Sequence, residues 1–244
     1  MDRKVLLSMM RISKELYAVM SLCTKMPYVQ CDEETFDDEI LLFMDENEAK
    51  EEANKLQEAG NPVSLFKIDN KNLLSFYSSL FAIDVNCIRF KMRYEEPVAI
   101  QLGELIRRPE DDKLPNGQPR IENPALHLTA LYFMQILRSG KEKEKQEELK
   151  TLNEELSAHF QKGKYLVAVQ EDKQFPVLKQ KDGKIYQPVF TDLQEFAKFN
   201  VEKKFQAIAV EAVKIPAIMA KEAAGVAINP LGVNLILQMK RKEA

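Results

Sequence analysis

Two histidines are the candidates for acid–base chemistry at neutral pH. They are His127 and His159, and imidazole is the side chain that most readily exchanges a proton near that pH. His127 lies near the start of a predicted apolar helix, and His159 lies near the end of a predicted charged helix. Neither has a cysteine, serine or aspartate at a recognised catalytic spacing. We therefore expect packing or surface roles for both histidines and predict no catalytic residue.

Three cysteines, Cys23, Cys31 and Cys87, have the chemistry of nucleophiles or metal ligands. Their number is odd, no C-x-x-C pair is present, and each lies on or beside a predicted strand. A structural zinc site needs about four Cys or His ligands with paired spacing. Burial as small apolar side chains explains these cysteines best, and their usage favours a reducing compartment. We predict no metal site.

We consider the acidic segment 32–39 as a cation-binding site and the glycines as parts of a nucleotide-binding loop. The segment is rich in Asp and Glu but lacks the D-x-[DN]-x-[DN]-G pattern of a calcium loop. A solvated turn is the default interpretation, and cation binding by this segment is left open. The eight glycines form neither a Walker loop nor G-x-G-x-x-G, so we predict no nucleotide or other cofactor.

The strongest candidate for a role beyond packing is the turn Asn229-Pro230-Leu231-Gly232. Asparagine side chains bridge backbone groups in turns, and proline and glycine fix turn geometry. A structural role is the first expectation. The alternative is a contact with a peptide or protein partner at the rim of the domain, for which the candidate residues are Asn229, Pro230 and Gly232.

The positions of apolar residues predict two α+β units. The first is predicted as a helix over 1–14, strands over 16–21, 26–30 and 39–44, a helix over 45–60, a strand over 62–68, a helix over 70–80 and a strand over 85–94. Helices follow over 125–137 and 141–160. The second unit is predicted as strands over 164–170, 175–179 and 184–190, a helix over 192–199, a strand over 205–210, a helix over 215–224, and a hairpin of 226–228 with 233–238.

Turn residues mark the domain boundaries. Four prolines and an Asn-Gly pair in 104–124 predict a linker, and Asp182-Gly183 predicts a tight hairpin turn. The predicted domains are therefore 1–103, the linker 104–124, a helical connector 125–163, and 164–244. Each predicted unit is a mostly antiparallel sheet with helices packed against it.

The similarity of the two units indicates an internal duplication. Aligning them places Tyr17 on Tyr165, Phe43 on Phe190, Asp45 on Asp192 and Ile83 on Ile228, with the same order of elements. This alignment also puts Asp84-Val85 where the second copy has Asn229-Pro230.

The second copy resembles a known family. Its segment from Pro176 to Asp192 reads PVLKQKDGKIYQPVFTD, and Ala227 to Gly232 reads AINPLG. Both resemble the SseB family, the bacterial enhanced-serine-sensitivity proteins, over residues 164–238, with a weaker repeat over 16–90. The resemblance implies small cytoplasmic α+β domains, often in two copies, without an established enzymatic activity.

Composition and charge limit the classes of binding partner that we expect. The net charge is −3, and the chain holds 16 Lys/Arg against 23 Asp/Glu in residues 1–123 but 19 against 15 in residues 124–244. No uniformly basic surface follows, so nucleic acid is not an expected partner. No run of about 20 apolar residues predicts a membrane span, and no signal peptide is recognised. We expect a cytoplasmic location.

Two functional hypotheses follow. The first is a non-enzymatic binding or scaffold protein with an unidentified protein or peptide partner, and self-association into a homo-oligomer is left open. The alternative is a small-ligand-binding regulator or an enzyme linked to amino-acid (serine) metabolism. A pocket of convergent polar groups would favour the alternative, whereas an open sheet edge or an apolar patch would favour the first.

Overall fold

The computed structural model describes residues 2–108, 120–181 and 183–242. The chain forms two compact units, and each is described by itself. Unit 1 comprises residues 1–118 and 135–145, and unit 2 comprises residues 119–134 and 146–244. The segment predicted as a helical connector, 125–163, is thus divided between the two units, and most of the predicted linker lies outside the described residues.

Unit 1 is a six-stranded sheet flanked by helices. Its strands are β1 (Glu15–Ser21), β2 (Val29–Cys31), β3 (Asp38–Phe43), β4 (Val63–Asp69), β5 (Cys87–Lys91) and β6 (Val98–Gln101). Its helices are α1 (Arg3–Ile12), α2 (Glu46–Glu58), α3 (Asn70–Phe81) and α4 (Leu102–Leu105). The strand order is β4-β1-β3-β5-β6, with β2 paired to β3. Only the β3–β5 pair is parallel among these described strands. The sequence did not predict β6 or α4.

Unit 2 repeats this topology. Its strands are β7 (Lys164–Val169), β8 (Leu178–Lys179), β9 (Ile185–Phe190), β10 (Gln206–Glu211), β11 (Gly225–Ile228) and β12 (Leu235–Gln238). The helices are α5 (Pro124–Arg138), whose last residues belong to unit 1, α6 (Gln146–Lys162), α7 (Leu193–Phe199) and α8 (Ile215–Ile218). The order β10-β7-β9-β11-β12, with β8 on β9, matches unit 1 strand for strand. The predicted fold class, two related α+β units with mostly antiparallel sheets, is confirmed.

Strand register corrects the alignment of the two copies. Phe43 pairs with Tyr17, whereas its counterpart Phe190 pairs with Leu166. Tyr17 therefore corresponds to Leu166, one residue beyond Tyr165. Because side chains alternate between the faces of a strand, a one-residue slip exchanges the faces. The structure equates Tyr17 and Leu166, which both pack in the core on the side of the sheet covered by α2 or α7.

The later part of the alignment was also wrong. In the parallel pairs, Leu42 lies beside Phe90 and Val189 lies beside Ile228. Phe90, rather than Ile83, is therefore the counterpart of Ile228, and Lys91 is the counterpart of Asn229. The error arose because α3 has 12 residues, whereas the corresponding segment of unit 2 is a 3-10 turn (Ala212–Lys214) followed by the four-residue α8.

The turn predicted at Asp182-Gly183 is described only in part. Asp182 lies outside the described residues. Gly183 has φ +80° and donates its N–H to the carbonyl of Gln180 at 3.0 Å. This left-handed conformation costs glycine little. The strands on either side, β8 and β9, pair antiparallel.

Residues 135–145 complete unit 1 through polar contacts with its loops and with β2. The Gln135 side chain accepts from the N–H of Val29 at 3.1 Å and donates to its carbonyl at 2.9 Å. Arg138 donates to the carbonyl of Cys23 at 2.6 Å, and Lys141 donates to Asn61 at 2.7 Å. Gln135 thus satisfies both backbone polar groups of a buried strand residue.

In the described parts of the chain, no helix combines the length and apolar character needed to cross a membrane.

We expect Gln135→Ala to lower the free energy of unfolding by about 1–3 kcal/mol, because it leaves a buried N–H and C=O without partners. Gln161→Ala, on the exposed surface of α6, is the matched control and should change stability by less than about 0.5 kcal/mol. Urea denaturation monitored by circular dichroism measures both. Equal effects would contradict a role for Gln135 in holding β2.

Candidate functional site

A buried polar cluster forms where the parallel strands β9 and β11 end. Thr191 and Asp192 follow β9, and Asn229 follows β11. Since parallel strands end at the same edge of a sheet, their following residues meet. His127 reaches the same point from α5. All four residues are at most 3% exposed, and we call them the Asn229 cluster.

Asn229 joins the ends of the two strands. Its Oδ1 accepts the backbone N–H of Thr191 at 3.0 Å, and its Nδ2 donates to the Thr191 hydroxyl at 2.8 Å. Its own N–H donates to the carbonyl of Val189 at 3.0 Å, which extends the parallel pairing by one residue. The side chain therefore bonds to Thr191, after the neighbouring strand, rather than to backbone groups of its own turn.

The Asn229 backbone also begins the turn. Its φ is +47°, a left-handed conformation that asparagine tolerates better than most residues. Its carbonyl accepts the N–H groups of Gly232 and Asn234, both at 2.9 Å. Backbone conformation and side-chain bonding thus both favour asparagine here, and a structural role explains it.

His127 completes the cluster without forming a catalytic relay. Its Nδ1 lies 3.3 Å from the Thr191 hydroxyl and 3.7 Å from Asp192 Oδ2, and its Nε2 lies 3.5 Å from Asn229 Nδ2. Thr191 donates its only proton to Asp192 at 2.8 Å, so Nδ1 is the donor towards Thr191 and Nε2 is an acceptor. In a catalytic triad the acid and the nucleophile contact opposite ring nitrogens. Here both approach Nδ1, and a histidine that is 1% exposed cannot meet a substrate.

Asp192 connects the cluster to the start of α7. Its Oδ1 accepts the N–H groups of Gln194 at 2.8 Å and Glu195 at 2.9 Å, the geometry of a helix N-cap. Burial acts to raise the pKa of Asp192. The hydrogen-bonding interaction with His127, together with the amide of Glu195 and the hydroxyl of Thr191, outweighs burial and holds that pKa below its ordinary value.

The position of the Glu195 side chain explains why residue 232, in the turn after β11, is glycine. Its side chain is 2% exposed and one oxygen pairs with the ammonium of Lys198. The other oxygen, Oε2, has no hydrogen-bond partner among the described residues. A Cβ atom added to Gly232 would lie 2.6 Å from Oε2, well inside contact distance. Gly232 therefore provides the space that the Glu195 carboxylate occupies.

The first copy makes the equivalent connection differently. Met44 stands at the position of Thr191, and its N–H donates to the backbone carbonyl of Lys91 at 3.0 Å. Lys91 replaces Asn229, so no side-chain amide is involved. Asp45 still caps α2, accepting from Asn47 and Glu48. Asp84, which the sequence alignment matched to Asn229, lies in the turn between α3 and β5 with φ +57°.

The candidate partner residues are divided between interior and surface. Asn229 and Gly232 are buried, Pro230 is partly exposed, and Leu231 between them is 51% exposed. Contact of this turn with a partner stays a prediction, and Pro230 and Leu231 are the side chains that would carry it.

The remaining chemical candidates stay apart from the Asn229 cluster. His159 is half-buried on α6. Cys87 is buried, which raises its pKa to about 11, and Cys23 is buried whereas Cys31 is exposed. In the acidic segment, Asp32 and Glu39 pair with Arg89, and Asp37 accepts from Asn86 and Gln101. No described group of three His, Cys, Asp or Glu side chains is arranged to hold an ion.

An open sheet edge is the feature that sequence analysis did not locate. Strand β10 pairs with β7 on one side, and Gln206, Ala207, Ile208 and Ala209 are all exposed. The N–H of Ala212 bonds to Gly163, which sets the alternation along the strand. Ala207 and Ala209 therefore direct their N–H and C=O groups away from β7, towards the open edge.

The corresponding edges of unit 1 are protected. Strand β4 carries Lys67 at the position of Ala209, paired with Glu15 at 2.6 Å. At β6, the Arg3 guanidinium donates to the carbonyl of Ala99 at 3.0 Å. Charged side chains of this kind discourage strand pairing. Between Gln206 and Val210, β10 has neither a charge nor a proline.

The helix beside β10 is shorter than its counterpart in unit 1. In unit 1, the 13-residue α2 covers β4, and Leu56 near its end packs in the same cluster as Val63 and Leu65. In unit 2, α7 has only seven residues. Ala207 is exposed, whereas its counterpart Leu65 is partly buried against α2. Ala209 and its counterpart Lys67 are both exposed.

The match to a family model concerns mainly unit 2. The family model described as SseB protein N-terminal domain matches residues 126–241. Residues 126–241 form an SseB domain. The resemblance inferred from 164–238 is confirmed, and the SseB match also takes in most of α5 and all of α6. No curated protein matches the chain at a significant level.

Two solved structures are similar along most of the chain. Tic22 from Plasmodium falciparum is 13% identical, covers 91% of this chain and 90% of its own, and has a TM-score of 0.25. Anabaena Tic22 (protein transport) is also 13% identical, covers 88% and 85%, and has a TM-score of 0.24. TM-scores this low carry no argument about fold or function.

We expect Gly232→Ala to lower the free energy of unfolding by about 1 kcal/mol or more, because the new methyl group displaces the buried Glu195 carboxylate. Glu195→Ala removes that obstacle. The double variant should therefore be less destabilised than the sum of the two single variants, by about 0.5–3 kcal/mol. Additive effects in urea denaturation would show that the two residues do not interact.

A second prediction concerns acid. A carboxyl group with a lowered folded-state pKa stabilises the fold above its ordinary pKa of about 4, and this contribution is lost as the pH falls through the lowered value. The unfolding free energy of unit 2 should fall between about pH 5 and pH 3 more steeply in the unmodified protein than in Asp192→Asn. Parallel curves in denaturation experiments across that range would contradict this assignment.

Proposed function

We propose that this chain is a non-enzymatic, cytoplasmic binding protein that takes up an extended segment of a protein or peptide partner as an additional strand on β10. The observation that supports this proposal is the row of four exposed residues, Gln206 to Ala209, with outward N–H and C=O groups at Ala207 and Ala209. Strand addition draws its affinity from such backbone groups and its specificity from side chains on either face.

The surroundings of β10 offer contacts to both faces of an added strand. Ile208, 39% exposed, lies on one face, and Ala207 and Ala209 lie on the other. A partner with small or apolar residues opposite these positions would gain cross-strand packing. The buried position of His127 supports a structural part for the Asn229 cluster, which anchors the β9 end of the same sheet. Regulation by a small ligand, or an activity in serine metabolism, stays the alternative prediction.

Selection of phage-displayed random peptides on the immobilised chain tests the proposal. Ala209→Pro removes an outward N–H while leaving the β7 pairing intact, and should weaken the selected peptides at least about tenfold, about 1.4 kcal/mol. Lys67→Pro, at the corresponding position of β4, is the matched control and should bind them normally.

Two further measurements keep the test decisive. Ile208→Lys introduces a charge without altering the backbone and should also weaken binding, whether or not Ala209→Pro folds. Hydrogen–deuterium exchange should show slower exchange at Ala207 and Ala209 in the bound state. Peptides that bind equally well to every variant, with no protection of β10, would overturn the proposal.

A further inference from the structure

Cations collect at the edge of the unit 2 sheet where β9 and β11 begin. The N–H of Ala224 donates to the carbonyl of Ile185 at 2.8 Å, and the N–H of Met239 donates to the carbonyl of Ala224 at 3.3 Å. The β8–β9 hairpin, the loop before β11 and the segment after β12 therefore lie side by side. Adjacent strands are about 4.8 Å apart. The exposed cations of these three segments, which we call the basic edge, are Lys179, Lys181, Lys184, Lys221, Lys240, Arg241 and Lys242.

Positive charge dominates these segments. Residues 179–184, 221–225 and 238–244 hold seven cations against three carboxylates, a net charge of +4. The rest of the same sheet edge differs, because 171–173 after β7 and 202–204 before β10 carry charges of both signs. Neighbouring segments of the basic edge are closer than the Debye length of about 8 Å at physiological ionic strength. A negatively charged surface would therefore meet their charges together.

The cations of the basic edge differ from other lysines of unit 2 in their pairing. Lys198, Lys204 and Lys214 each form an ion pair with a glutamate two or three residues away. Six of the seven basic-edge cations, all but Lys184, form no ion pair with any residue that the structure describes. Their charged groups can therefore contact a partner without breaking an existing pair.

We propose that the basic edge binds an anionic lipid surface, with its ammonium and guanidinium groups against the phosphates of the lipid head groups. Clusters of four to eight Lys and Arg residues are attracted to such surfaces, and the contact is peripheral and needs no membrane-spanning helix. This inference does not depend on strand addition at β10.

The residue types favour lipid over other anionic partners. Six of the seven cations are lysines, which are depleted at protein–protein interfaces. A lysine ammonium is a flexible point charge, which suits mobile phosphates that present no fixed geometry. The three segments contain no aromatic residue, and aromatic side chains are the usual platform for the bases of single-stranded nucleic acid.

Co-sedimentation of the full chain with lipid vesicles tests the proposal. The chain should bind vesicles that contain phosphatidylglycerol but not vesicles of phosphatidylcholine alone, and binding should weaken as the salt concentration rises. The triple variant Lys240→Gln, Arg241→Gln, Lys242→Gln should raise the dissociation constant for the anionic vesicles at least about tenfold. The double variant Lys179→Gln, Lys181→Gln, in a different segment, should also weaken binding.

The matched control is the triple variant Lys143→Gln, Lys150→Gln, Lys162→Gln. It removes the same charge from exposed positions outside the basic edge and should bind the vesicles normally. Circular dichroism checks that every variant folds.

The other outcomes overturn the proposal. These are no binding to phosphatidylglycerol vesicles, equal weakening by the control, or a loss of binding confined to one of the two basic-edge variants. Duplex DNA of mixed sequence is the competing polyanion. If the chain binds it more tightly than the vesicles, and the Lys240–Lys242 variant loses that binding, nucleic acid rather than lipid is the partner. None of these results changes peptide binding at β10, which the selected peptides measure separately.

Discussion

The parallel strand pair in each sheet, one among the described strands of each unit, is the constraint on which the rest of that unit depends. Antiparallel neighbours can be joined by short turns, whereas two parallel neighbours require the chain to cross over between them. In unit 2 that crossover contains α7, β10 and α8, and it brings the chain back so that β11 ends beside β9. The Asn229 cluster forms because β9 and β11 end side by side, which brings together the polar residues that follow them.

The same topology has different consequences in the two copies because the crossover helices differ in length. The long α2 of unit 1 covers the face of its edge strand, and the short α7 of unit 2 does not. An edge strand that is uncovered on its faces, and that lacks charge along its length, is exposed to pairing from outside. Unit 1 thus has a charged side chain on its edge strand and a longer helix beside it, whereas β10 of unit 2 has neither.

The sequence predicted the features whose signals are local. The helices that start at Asp45 and near Asp192 were predicted, and Gly183 was predicted as a turn residue, because the residue type and its neighbours favour those conformations. The order of elements and the α+β class followed from the alternation of apolar residues. The resemblance of residues 164–238 to SseB proteins identified the family of unit 2.

The features that the sequence did not predict are contacts between residues far apart in the chain and the pairing of individual strands. His127 and Asn229 are 102 residues apart, and no spacing rule connects them. The open edge of β10 was not located because a strand of that composition is equally compatible with burial. The alignment slip at Tyr17 arose because two tyrosines in similar strands matched by identity, while register places them on opposite faces.

The two ways of joining the parallel strands also differ in how much sequence change they tolerate. In unit 1 the N–H of Met44 bonds to a backbone carbonyl, which every residue possesses, so substitutions at Lys91 leave that bond available. In unit 2 the N–H of Thr191 bonds to a side-chain oxygen that few residues can supply in a left-handed turn. The first copy can therefore vary in sequence where its parallel strands end. The second copy favours asparagine at position 229. This difference gives a physical reason why the family motif around Asn229 can be recognised in the second copy and only weakly in the first.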